Sequence, residues 1–198
     1  MPRVLSESDV ADFRERLCEA AERLFAEKGP EAVTMRQLAA ELGVSPMTPY
    51  RYFKDKDDIL AAVRASGFDR FAEALETAYA KQASARSRGA AVGQAYVDFA
   101  FTHPQAYKLM FDLNQPSHDH PELERASARA TATMSQYVRG LVNDGQLQGD
   151  PEEIGAMFWV AAPGAVSLAL AGKISQDRAR ALIAEMNSAI SRGLRPQA

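Results

Sequence analysis

Apolar residues return along this chain every three or four positions, and nowhere do they alternate over a β-branched run, so the pattern predicts helices throughout. Phe13, Leu17, Ala20, Ala21, Leu24 and Phe25 form one helical stripe, with Glu15, Glu19, Glu22 and Arg23 off it. Lys28, Gly29 and Pro30 end that helix with a basic last turn, a glycine and a proline. Thr34 and Gln37, three apart, have the spacing of a capping box for a second, short helix whose apolar face is Leu38, Ala39 and Leu42. A long helix follows the polar corner Asp55, Lys56 and Asp57 and carries Ile59, Leu60, Val63, Phe68, Phe71 and Leu75. Further helical patterns are separated by breaks at 114–121 and 143–151. The small, basic stretch SARSRG at 84–89 is expected to be a linker between domains.

Between the short and the long helix lies GVSPMTPYRYFKDK, with two prolines three residues apart. Gly43 ends the second helix, Ser45 offers an N-cap, and Pro46 then takes the favoured first helical position. Pro49 falls on the fourth helical residue, where its missing N–H forfeits one hydrogen bond; with Thr48 as the cap, Pro49 is itself the first residue. Either way the stretch is compatible with a third helix, and helix, glycine turn, helix is the helix-turn-helix layout. If Pro49 and Phe53 define its buried side, stepping round at about 100° per residue turns Met47, Thr48 and Arg51 outward, with Tyr50 and Tyr52 on the flanks. A recognition helix has this division, since its central face reads base edges while its flanks grip phosphates. Arg51 is the side chain there able to make a bidentate contact to guanine.

Composition leaves this picture in place. The 198 residues are 46% hydrophobic and 25% charged, and the formal net charge is −3, so a nucleic-acid site must be a local patch. Residues 34–56 supply one, with Arg36, Arg51, Lys54 and Lys56 against Glu41 and Asp55. Cys18 is the single cysteine and suits a reducing compartment, the charged N-terminus MPRVLSESDVADF does not read as a secretion signal, and a cytoplasmic protein is expected. The uncharged stretch Ile154 to Ala171 approaches a membrane-spanning length, yet its six alanines and the pair Pro163 and Gly164 predict a helix buried in protein on all sides, kinked at the proline.

The motifs AAERLFAEKG at 20–29, TMRQLAAELGVS at 34–45 and TPYRYFKDK at 48–56 resemble the N-terminal domain of the TetR family of transcriptional regulators. Pro49 departs from the aliphatic residue usual there. The resemblance implies DNA contacts from Thr34 and Arg36 on the second helix and from Met47, Thr48, Tyr50, Arg51 and Tyr52 on the third. It also implies a phosphate held by Lys56. The stretches AYVDFAFTHPQAYKLMF at 95–111 and WVAAPGAVSLALAG at 159–172 are similar to the family's ligand-binding domains with a Trp-x-x-x-His-Gly signature, Pro163 standing where the histidine would be.

The architecture expected is therefore all-α: a helix-turn-helix DNA-binding domain at 9–56, a connecting helix at 57–83, and a helical bundle for ligand binding and dimerisation at 84–198. Phe71, Phe99, Tyr107, Met110, Phe111, Met134, Tyr137, Phe158 and Trp159 are the candidates for an apolar pocket, the plain alternative being hydrophobic core. His118 and His120, around Asp119, read as a polar loop and not as a metal site, and no catalytic motif or cofactor is expected. Helices 154–171 and 175–192 would pack against their symmetry mates in a homodimer. The function expected is a ligand-responsive regulator, a repressor released from a palindromic operator by a small, largely apolar effector. The competing class is an all-α adaptor that uses the same hairpin on another protein.

Overall fold

A computed structural model describes residues 6–82, 84–111 and 120–196, and every α-helix, in chain order, is α1 Glu7–Lys28, α2 Met35–Glu41, α3 Lys56–Ala80, α4 Ala85–Thr102, α5 Pro104–Met110, α6 Pro121–Asn143, α7 Pro151–Leu170 and α8 Gln176–Gly193. Strands do not occur among the described residues. The chain divides into two compact units, residues 1–67 with 105–125, and residues 68–104 with 126–198. α3 contributes its first half to one and its second half to the other.

In the first unit, Ser6 caps α1 through a reciprocal capping box with Asp9, and Gly29 ends it at φ 80°, returning its N–H to the Phe25 carbonyl. The predicted stripe of α1 is the buried one: Leu17, Ala20, Ala21, Leu24 and Phe25. They close on Leu38 of α2 and on Phe53, Ile59 and Leu60. At about 1.5–3 kcal/mol per large apolar side chain removed from water, this core holds the short α2 in place, since seven residues cannot sustain a helix alone. Cys18 packs against the same core, and burial pushes its thiol up to about 11.

The second unit packs α7 mainly on α8 and also on α4. Gly155 of α7 passes so close to α6 that an added Cβ would stand 2.9 Å from Ser135 Oγ and 3.2 Å from its Cα. Arg129 of α6 fastens α3 with a bidentate bond to Glu76 (2.9 and 2.6 Å) and a third bond to Asp69 (3.1 Å). The interior holds Phe71 edge-on to Tyr96 and Phe99, both at 5.1 Å, and to Trp159 at 6.0 Å.

Two expectations change here. Residues 85–89 are helix and not linker, because Ser84 caps α4 in a capping box with Ser87. The helix at 151–170 continues unbroken through Pro163 and is buried on one side only. Its stripe of Ile154, Phe158, Ala162 and Val166 faces inward, while Met157, Val160 and Leu168 are 48%, 74% and 47% exposed. By length and composition α7 alone among the described helices could cross a membrane, but its inward stripe is committed to α8 and α4.

Candidate functional site

The helix-turn-helix is assembled by local rules. Thr34 accepts from the Gln37 N–H at 3.3 Å, and the Gln37 side chain accepts from the Thr34 N–H at 2.8 Å, which fixes the start of α2 with Arg36 exposed in its first turn. Gly43, at φ 66°, ends it in a Schellman turn, its N–H on the Ala40 carbonyl and that of Val44 on Ala39.

The third segment differs from the α-helix expected. Residues 46–48 form turns, and the helical part is a single 3-10 turn, Pro49–Arg51. Three of its bonds run three residues back, from Thr48 N–H to Ser45, Arg51 to Thr48 and Tyr52 to Pro49, and a fourth runs four back, from Phe53 N–H to the same Pro49 carbonyl at 3.1 Å. Pro49 has no N–H for the Ser45 carbonyl, which takes the Thr48 N–H instead, so the winding tightens. Neither candidate cap acts on the backbone, since the Ser45 and Thr48 hydroxyls bond to each other at 2.9 Å. At about 120° per residue, Met47 and Tyr50 come to lie on one outward face, while Tyr52 rotates to the side of Pro49. Exposures agree: Met47 is 69% and Tyr50 49% exposed, Arg51 is exposed, and Pro49 and Phe53 are buried as expected. Tyr52 therefore stacks on Phe13 with ring centroids 4.3 Å apart and packs on the core, and its carbonyl accepts from Arg14 at 2.6 Å. Lys56 turns inward too, donating to the Pro30 carbonyl at 2.7 Å.

Around this face the acids are occupied. Glu41 pairs with Arg23 at 3.0 Å, Asp55 accepts from the Asp58 N–H at 2.9 Å, and Asp58 accepts from the Lys54 N–H at 3.1 Å. The Arg36, Arg51 and Lys54 side chains are exposed and have no partner among the described residues. Cations that the fold leaves unneutralised beside an exposed aromatic and a flexible thioether form a surface suited to a polyanion with readable edges.

The second unit contains a cavity of about 670 Å³ among α4, α6, α7 and α8. Its floor is apolar, with Val97, Tyr137, Leu141, Phe158 and Ile183 all buried. Burial raises the Tyr137 hydroxyl above the ordinary tyrosine range, so it stays protonated. Arg86, Arg180 and Arg195 also line it, and Asn187 Oδ1 is buried there with no protein donor. Of the nine pocket candidates read from the sequence, only Tyr137 and Phe158 line this cavity. Phe71, Phe99 and Trp159 belong to the aromatic core beside it, and Met134 is buried elsewhere in the same unit. Tyr107, Met110 and Phe111 sit in the first unit, where Tyr107 and Phe111 pack at 4.6 Å and Met110 lies on Gly67. They are large because they fill space. The cavity exists where side chains are small, at Gly89, Ala90, Gly93 and Ala184, and the recurrence of small residues along α4 was its signal in the sequence. His120 approaches Asp58 at 3.8 Å, whereas His118 and Asp119 lie outside the described residues. No cluster of three metal-ligating side chains occurs among the described residues.

The chain thus carries a helix-turn-helix in one helical unit and a separate cavity in the other. Residues 17–63 match the family described as bacterial regulatory proteins, tetR family, and residues 90–189 match the tetracyclin repressor-like C-terminal domain. The chain belongs to the TetR family of transcriptional regulators, a family of regulators and not of enzymes. It is similar to an HTH-type transcriptional regulator of Staphylococcus aureus (strain USA300), 41% identical over 63 residues that make up 32% of this chain and 34% of that protein. The chain thus spans about a third of the length of the curated relatives it matches. Among solved structures it resembles a Rhodococcus sp. RHA1 protein of unknown function (TM-score 0.81, 27% identity, 99% of this chain and 100% of that one). A TetR family transcription regulator from Marinobacter aquaeolei VT8 shares the fold (TM-score 0.74, 18% identity, 93% and 98%).

Proposed function

We propose that this regulator is a ligand-responsive homodimer that reads a palindromic operator and acts as a cytoplasmic repressor, released when a small effector occupies its second unit. The observation that carries the reading is the outward face of residues 34–54, where Arg36, Arg51 and Lys54 are unpaired while the neighbouring acids are bound locally. Arg51 would read a base edge, and Thr34, Arg36, Met47, Thr48 and Tyr50 would position the segment in the major groove. Tyr52 and Lys56 would act from behind, by holding the segment against Phe13 and Pro30. One such segment spans too few base pairs for specificity, and the exposed stripe Met157, Val160 and Leu168 on α7 offers an apolar surface for a second copy.

The test is to select a duplex from a random pool with the full chain, then to measure affinity for it and for a scrambled duplex against salt. A palindromic winner is expected, bound by a species of dimer mass in light scattering, with affinity falling steeply as salt rises. Arg51→Ala should cost about 1–3 kcal/mol on the selected duplex and relax preference at one base position. Failure to retain any duplex at low salt overturns the reading in favour of a protein-binding hairpin.

A further inference from the structure

The cavity of the second unit carries more charge than its apolar floor requires. Three arginines line it, Arg86 from α4, Arg180 from α8 and Arg195 beyond the end of α8, and no carboxylate does among the described residues. Arg180 is already committed, bonded to Asp98 at 2.7 Å and laid over the Phe101 ring at 5.3 Å. Arg86 and Arg195 are exposed, and neither side chain has a partner among the described residues. Arg86 stands in the first turn of α4, where the unpaired amide dipoles already favour a negative group and disfavour a cation. Arg195 is held at the cavity because the Gln148 N–H donates to the Leu194 carbonyl at 2.7 Å, tying the end of α8 to the loop after α6. A rim of two unneutralised guanidiniums over a buried apolar floor is complementary to a molecule with one anionic end and an apolar body.

We infer that the ligand of this cavity is an amphipathic anion, a carboxylate whose apolar body lies on Val97, Leu141, Phe158 and Ile183 and whose charge meets Arg86 and Arg195. Fork-shaped guanidiniums suit the planar, bidentate carboxylate. The Tyr137 hydroxyl and Asn187 Oδ1 remain to orient polar atoms along the body, the latter asking for a donor. This assignment rests on the reading of the second unit as the effector domain, and it narrows that effector from apolar to anionic and amphipathic.

Three probes with one tail and different heads test it on the full chain: decanoate, decanol and decyltrimethylammonium, titrated by calorimetry at neutral pH. Decanoate is expected to bind at least about tenfold more tightly than decanol, with the cation weakest, because a hydrogen bond to a charged group is worth roughly a factor of ten to a hundred. The double variant Arg86→Gln, Arg195→Gln should lose that preference while binding decanol as before, and Arg86→Lys, Arg195→Lys should keep much of it. Neither arginine has a partner to lose, so an unchanged melting temperature certifies the variants as folded. Equal affinities for the three probes, binding of none at millimolar concentration, or decanoate binding untouched by the glutamine variant overturns the assignment. Operator affinity of the same samples is measured separately. Arginine-dependent decanoate binding that leaves operator affinity unchanged supports the anion site and overturns the effector role, whereas loss of DNA binding without any probe is a failure of the operator reading alone.

Discussion

The outward face of residues 45–53 and the cavity among α4, α6, α7 and α8 are built by opposite means. The first is a surface made by backbone chemistry within the short stretch 43–53: a glycine stop at Gly43, two prolines and hydrogen bonds mostly three residues long. The second is a space made by elements far apart in sequence, where Gly89 and Gly93 on α4 and Ala184 on α8 withhold the side chains that would fill it. A local surface changes when its own residues change. A cavity changes when any wall moves, so it can be retuned without touching the residues of the 45–53 face.

The sharpest way to break the comparison is to remove the support beneath the reading face. Phe53 is 3% exposed and packs among Leu17, Leu38 and Ile59. Phe53→Ala should cost about 3–5 kcal/mol in urea unfolding, the range for a buried phenylalanine that leaves a cavity behind. DNA binding should go with it, because Phe53 ties the reading segment to that core.

A smaller effect separates the packed wall of the second unit from its open one. At Gly155 a methyl group would meet Ser135 backbone at 3.2 and 3.3 Å as well as Oγ at 2.9 Å, so Gly155→Ala should destabilise by about 1–3 kcal/mol through overpacking. At Gly93 the nearest atom is Asn187 Nδ2 at 3.7 Å, and the residue lies inside α4. Gly93→Ala should therefore raise stability by about 0.5–1 kcal/mol through the lower entropy cost of alanine in a helix. Paired thermal melts check both signs, and destabilisation at both positions would mean that the cavity wall is as tightly packed as the α6–α7 contact.

These two regions were unequally legible in the sequence. The stripe of α1, the capping box of Thr34 and Gln37 and the stop at Gly43 could be read directly, because each depends on residues within one or two turns. Tyr52 could not be placed, since its position turned on whether the prolines tighten the winding, and a shift from about 100° to about 120° per residue moves it from flank to core within three steps. The cavity was out of reach for a different reason. Listing the largest apolar residues of the C-terminal half finds what fills a core, as Phe71 and Tyr107 do, and passes over the glycines and surface arginines that outline an empty volume. The one-sided burial of α7 was likewise hidden by its composition, because alanines and glycines make every face of it look equally apolar.

The smallest expected effect tests the winding itself. Thr48 precedes a proline yet holds αR angles, φ −63° and ψ −47°, a region that the following ring disfavours. Pro49→Ala relieves that clash and restores an N–H within reach of the Ser45 carbonyl, so the segment can relax into an α-helix. Against this, the unfolded chain regains the freedom that proline had removed, worth about 0.4–1 kcal/mol, so the two changes oppose and global stability should move by less than about 1 kcal/mol. The consequence lies in geometry. With α winding Tyr52 would swing away from Phe13, and nuclear Overhauser contacts between the two rings, now stacked at 4.3 Å, should weaken or vanish. Met47 and Tyr50 would no longer share one face, and base preference should change on a selected duplex even though Arg51 is untouched. Retention of the Phe13–Tyr52 contact in the alanine variant would show that the ring stacking, and not the proline, sets the 3-10 turn.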